Sequence, residues 1–131
     1  MLSTGRVAVV VTTGDAARLL EMAGTCRAVA ETGAGVRVFF RDESIPAIAR
    51  ADVATRLLPP ELTPDEASAD ALQAAFSGLA SAEDTRLYAC SSSLYVWGIG
   101  AADLVPAIAG ARGLIAFLAE DLAGASRVLT Y

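Results

Sequence analysis

The chain is 131 residues long, 54% apolar, and carries a formal net charge of −5. That length fits one domain with a real core, and the apolar content excludes an intrinsically disordered chain. Negative charge without any basic stretch argues against nucleic acid or an anionic membrane surface as partners, and no run reaches the ~18 uncharged apolar residues of a membrane span.

The elements follow in chain order. "RVAVVVTT" (6–13) is a continuous β-branched run, the pattern of a strand covered on both faces. It is too short for a signal peptide and has no small-residue cleavage site behind it. Asp15 is a candidate N-cap for a helix whose apolar stripe is Leu19, Met22, Ala23, Cys26, Val29 and Ala30, closed by Gly33 and Gly35. "VRVFF" (36–40) predicts a second buried strand. In "RDESIPAIAR", Asp42 and Ser44 are cap candidates, and Pro46 suits the first turn of a short helix. The two prolines of "RLLPPELT" predict an irregular segment. Thr63, Pro64 and Glu66 read as a capping box for a helix with Ala67, Leu72, Ala75, Phe76 and Leu79 inward.

"RLYAC" (86–90) predicts a third strand, with a short helix through "SSSLYVWG". Pro106 argues against a helix in "LVPAIAG" (104–110), so a fourth strand is expected there. "GLIAFLAEDLAG" predicts a helix and "SRVLTY" (126–131) a closing strand. Alternating β and α units with strands too apolar to show a period of two imply an α/β fold. The expected architecture is a single three-layer α/β/α domain over 1–131, with a mainly parallel sheet of about five strands.

The chemical inventory is sparse. There is no histidine and no lysine; all ten basic residues are arginine. Ser-His-Asp and Cys-His catalysis, histidine-ligated metals, Schiff-base lysines and the P-loop are therefore excluded. "GIGAAD" (98–103) has Asp103 where a dinucleotide loop needs its third glycine. "CSSSLYV" has Val96 where a Cys-x5-Arg phosphate loop needs arginine, and no C-x-x-C pair exists. The paired carboxylates fall at expected helix ends, where they read as caps and solvated surface, so no metal and no cofactor are expected.

Cys90 stands apart. In an open parallel sheet, reactive groups collect beyond the carboxyl ends of the strands. Cys90 is expected at such an end, against a helix N-terminus that favours an anion and hence a thiolate. Ser91, Ser92 and Ser93 are candidate caps and hydroxyl donors. Against this stands a buried cysteine packed between sheet and helix, equally compatible with position alone. Cys26, on the apolar stripe of the first helix, reads as core. Tyr88, Tyr95 and Trp97 suit packing or an interface as well as a pocket. The sequence does not place Arg41 or Arg86 relative to Cys90.

"YACSSSLYVWGI" followed by "DLVPAIAGARGLIAFLAEDLAGASRVLTY" resembles the second half of the DsrE/DsrF-like sulfur-relay family, and "VAVVVTTGDAARLLEMAGTCRAVAETGAGVRVFF" resembles its first β-α-β unit. The resemblance implies a small α/β/α domain assembling into homotrimers or hexamers. It also implies that the cysteine at this place carries sulfur as a persulfide, a role that maps onto Cys90. Ser93 and Gly98 match as loop- or helix-shaping positions. "RDESIPAI" replaces the glycine-containing turn that the family often has after its second strand.

The leading expectation is therefore a cytoplasmic sulfur carrier or sulfurtransferase. Cys90 would be its nucleophile, Ser91, Ser92, Ser93 and Gly98 would shape the site, and its partners would be sulfur donor and acceptor proteins or small thiols. The alternatives are a non-catalytic oligomeric binding module with Cys90 as pocket lining, and a thiol redox sensor pairing Cys90 with Cys26. The two cysteines form no disulfide framework and fit a reducing compartment.

Overall fold

A computed structural model describes residues 5–131. Five strands form one sheet in the order β4-β3-β2-β1-β5, every pairing parallel: β1 (Arg6–Val11), β2 (Gly35–Phe40), β3 (Thr85–Cys90), β4 (Gly110–Arg112) and β5 (Arg127–Thr130). The helices are α1 (Ala16–Glu31), α2 (Ile45–Ile48), α3 (Ala51–Leu57), α4 (Glu66–Ala80), α5 (Ser91–Trp97) and α6 (Leu114–Ala116). The last runs directly into a π-helical segment, Phe117–Leu122. The α/β class, the parallel sheet and the number of strands agree with the sequence reading.

The strands bury both faces, but unequally. Val9, Val38, Phe40, Leu87 and Ala89 point into the large core. Leu19 of α1, Ile45 of α2, Val53 of α3, Phe76 of α4 and Leu94 of α5 all pack there, so five helices cover that face. Their sequence neighbours point the other way. Ala8, Phe39 and Cys90 form a small second core with Phe117, closed by the 114–122 segment. Phe39 and Phe117 stack with centroids 4.4 Å apart and an interplanar angle of 14°.

Local chemistry corrects four sequence expectations. The residue capping α4 is Asp65, which accepts the Ser68 N–H at 2.8 Å, so Thr63 and Pro64 lie outside the helix. Thr63 instead donates its hydroxyl to the Pro59 carbonyl. Neither Asp42 nor Ser44 caps with its side chain; the Ser44 hydroxyl contacts the Val11 and Arg41 carbonyls, tying the ends of β1 and β2 together. The segment 104–109 is not a strand. Pro106 offers no N–H, and Leu104, Val105 and Ile108 bury as loop residues, with strand β4 starting only at Gly110. The segment expected to be irregular begins inside a helix, since Arg56 and Leu57 belong to α3, and Pro59 and Pro60 stop its continuation two residues after it ends.

Candidate functional site

Cys90 ends β3 at the carboxyl edge of the sheet and is also the N-cap residue of α5. Its residue is 2% exposed, yet it lines a cleft of about 290 Å³ with Arg41, Glu43, Ser92, Val96 and Leu114. Strand register explains the juxtaposition. Phe40 pairs with Ala89, so the residues just beyond, Arg41 and Cys90, come out side by side. Arg41 is the one cation of the lining, and Asp42 and Glu43 set two carboxylates around it.

The three serines separate in role. Ser93 is buried, and its hydroxyl accepts the Asp42 N–H at 3.0 Å. Ser92 lines the cleft, and Ser91 is exposed outside it. None caps α5, because Cys90 itself occupies the capping position and makes no side-chain cap bond. Gly98 closes the same helix with φ 71°, the left-handed conformation in which its N–H reaches back to the Tyr95 carbonyl. It shapes α5 and does not line the cleft.

Asp42 is held in an unusual state. Its φ is +53°, a region that costs a non-glycine residue about 1–2 kcal/mol. Two side chains from α5 hold it there: Ser93 takes its N–H, and the Trp97 indole donates to its carbonyl at 2.9 Å. The Asp42 carboxylate lies 3.3 Å from Arg41 Nε. That nitrogen is buried and makes no hydrogen bond of good geometry, so the contact is an ion pair rather than a bond along the N–H. The clamp therefore fixes the loop that presents Arg41 to the cleft. Of the aromatic residues, Trp97 belongs to the site, Tyr88 lies under the Arg112 guanidinium at 5.1 Å, and Tyr95 is 87% exposed.

The opposite wall depends on a buried carboxylate. Asp121, 4% exposed in the π-helical segment, accepts from Arg112 Nε at 2.7 Å and has Arg6 and Arg37 guanidinium nitrogens at 3.9 Å. Arg37 also bonds Asp84, holding that carboxyl below the usual carboxylate range. One carboxylate thus gathers arginines from β1, β2 and β4 and docks the segment that carries Phe117, with Leu114 of α6 just ahead of it. π-Helical turns are frequent at functional sites, and this one sets the roof over Cys90. Arg86 lies at the other end of β3, beside Arg37.

Cys26 lies in the large core and Cys90 in the small one, on opposite faces of the sheet; both are free thiols. A bond between them would have to pass through the sheet. Burial pushes the Cys26 thiol up to about 12. No group of three or more potential metal-ligating side chains occurs among the described residues, and no helix among them is long and apolar enough to cross a membrane.

A family model described as the DsrE/DsrF-like family matches residues 5–128. Among solved structures, the chain is similar to the protein of unknown function MTH1491 from Methanobacterium thermoautotrophicum. That match has 14% identity and a TM-score of 0.62, covering 97% of this chain and 99% of the other. At that identity the likeness speaks for the fold alone. No curated protein matches the sequence.

Proposed function

The chain belongs to the DsrE/DsrF-like family, and from that premise we propose that it is a sulfur-relay protein carrying sulfane sulfur on Cys90. The observation that supports this reading most is the place of Cys90: it ends a central parallel strand, and it opens into a cleft beside Arg41. In a protein without histidine or lysine, Cys90 is the one thiol that faces a cleft.

The reaction is a thiol exchange on sulfur. The Cys90 thiolate attacks the outer sulfur of a donor persulfide, R–S–SH. A new S–S bond forms, the donor S–S bond breaks, and R–S⁻ leaves as the thiolate, giving Cys90–S–SH. An acceptor thiolate then attacks that outer sulfur, and Cys90 leaves as thiolate. Both steps conserve electrons and need no external oxidant. The Arg41 guanidinium stands ready to neutralise the developing thiolate, while Asp42 and Glu43 leave the cleft without excess positive charge. The donor and acceptor are persulfide- and thiol-bearing proteins or small thiols. The assembly is a homo-oligomer, a trimer or hexamer, in a reducing cytoplasm.

The deep burial of Cys90 supports a second reading, a binding module in which the thiol is only pocket lining. Incubation with a persulfide donor, followed by intact and peptide mass spectrometry, separates the two. The carrier gains one sulfur at Cys90, which dithiothreitol removes, and Cys90→Ser gains none. A native protein that stays unlabelled at Cys90 while an unfolded control is labelled overturns the carrier.

A further inference from the structure

A second concavity lies on the five-helix side of the molecule, walled by α2, α3, α4 and the proline-rich loop between α3 and α4. It holds about 360 Å³, within the range of small-molecule sites of about 300–1,000 Å³. Its walls are small and apolar: Pro46, Ala47, Ala49, Ala54, Ala69 and Val105. No large side chain fills the space.

The polar lining has one sign. Glu66, Asp70 and Gln73 fall at i, i+4 and i+7 of α4 and so share one helix face turned to the cavity. The hydroxyl protons of Thr55 and Thr63 are already given to the Ala51 and Pro59 carbonyls, so what either can offer a ligand is a lone pair. None of the ten arginines lines it. The groove continues past Pro46, Ala47, Thr63 and Pro64 into a neighbouring hollow that adds Glu43, Glu61 and Asp65, again with no arginine. Two carboxylates one helical turn apart repel by a few tenths of a kcal/mol, roughly, and a cation between them reverses that sign.

We propose that this groove is a binding site for a free aliphatic amine, with its alkyl chain on the alanine floor and its ammonium between Glu66 and Asp70. The apolar floor selects a hydrocarbon body, and the arginine-free acidic lining selects a positive head. An anion of the same shape meets two carboxylates, and a neutral alcohol gains no charge attraction from them. The cavity between Glu66, Asp70 and the alanine floor shares no lining residue with the Cys90 cleft, which meets only the neighbouring hollow, at Glu43 and Trp97, and the proposal stands whether or not Cys90 carries sulfur.

The probe is hexylamine, titrated at low salt into the whole protein carrying ¹³C-labelled alanine methyl groups and followed by NMR. Hexan-1-ol and hexanoate are the matched neutral and anionic controls. The expected result is saturable shifts of the Ala47, Ala54 and Ala69 methyls with hexylamine. The alcohol should bind at least about tenfold more weakly, and hexanoate should give no shift. Replacing both Glu66→Gln and Asp70→Asn, at exposed positions that the fold does not depend on, should weaken the amine about tenfold or more. Ala69→Leu, which fills the cavity, should abolish the shifts. Three results overturn the proposal: no saturable shift up to about 10 mM amine, an alcohol that binds as tightly as the amine, or an unchanged affinity in the double variant. The double variant keeps the test decisive if Ala69→Leu does not fold.

Discussion

Replacing Cys26 with alanine should trade a small packing loss for freedom from an alkaline weakness. The Cys26 residue is 1% exposed, and burial raises its thiol from an ordinary value of 9.0 to about 12. The native state therefore keeps this proton where the unfolded chain releases it. Between those two values the unfolded state binds fewer protons, so stability falls as pH rises. The contribution is fully present below about pH 9, and it is lost progressively toward pH 12. Over three pH units at about 1.4 kcal/mol each, the ceiling is about 4 kcal/mol, and by pH 10.5 the loss is about 2 kcal/mol. Alanine removes one sulfur from the core, a cost of about 1 kcal/mol at every pH. The variant is thus expected to be about 1 kcal/mol less stable than the native protein at pH 7.5 and about 1 kcal/mol more stable at pH 10.5. Urea unfolding of both proteins at the two pH values measures this. A stability gap that does not change with pH would refute the reasoning, because it would mean that Cys26 is not protonated preferentially in the fold. The same burial predicts that native Cys26 resists alkylation at neutral pH.

Three further outcomes follow from the site. Phe117→Ala removes a fully buried ring stacked on Phe39 and should cost about 3–5 kcal/mol in urea unfolding, while iodoacetamide should label Cys90 faster in the remaining native protein. Trp97→Phe deletes the donor to the Asp42 carbonyl; a loss of about 1 kcal/mol is expected, with a drop in sulfur loading at Cys90 that exceeds any change in folded fraction. Gly98→Ala meets open space but must hold φ near +71°, so a loss of about 1 kcal/mol is expected from backbone strain alone, read as a lower thermal midpoint with Cys90 labelling unchanged.

What could be read from the sequence was what hydrophobic pattern controls. The β-branched runs around Val9, Val38 and Leu87 announce buried parallel strands, and the Leu19–Met22–Cys26 stripe announces α1, because these choices are made by local burial. The carboxyl-edge place of Cys90 followed from the same pattern. What stayed hidden depended on strand order. Arg41, Asp42 and Glu43 become neighbours of Cys90 only because β2 and β3 are adjacent in register, and no local signal states that adjacency. A rule would have served: the residues after any strand next to β3 must flank Cys90. The serine run misled for a different reason. Ser91, Ser92 and Ser93 look like a cap, but the helix starts at Ser91 itself, so Cys90 takes the capping position and Ser93 turns to the Asp42 backbone. The expected strand at 104–110 failed because Leu104, Val105 and Ile108 reach the core from a loop, which apolar content alone does not distinguish from a strand.

The uneven cover of the two sheet faces has a consequence for the order in which the site is made. The buried side chains of the large core come from residues up to Ile108, whereas the roof over Cys90 comes from residues 114–122. During synthesis the thiol and Phe39 stay uncovered until that later stretch emerges and Asp121 finds its arginines. The same sequence run backwards gives a route for exposing Cys90 in the finished protein. Releasing residues 114–122 alone costs the small core and one ion-pair hub, and none of the buried residues of the large core lies in that stretch. Hydrogen exchange should then find 114–122 opening well below the free energy of global unfolding, with Cys90 labelling tracking that local event.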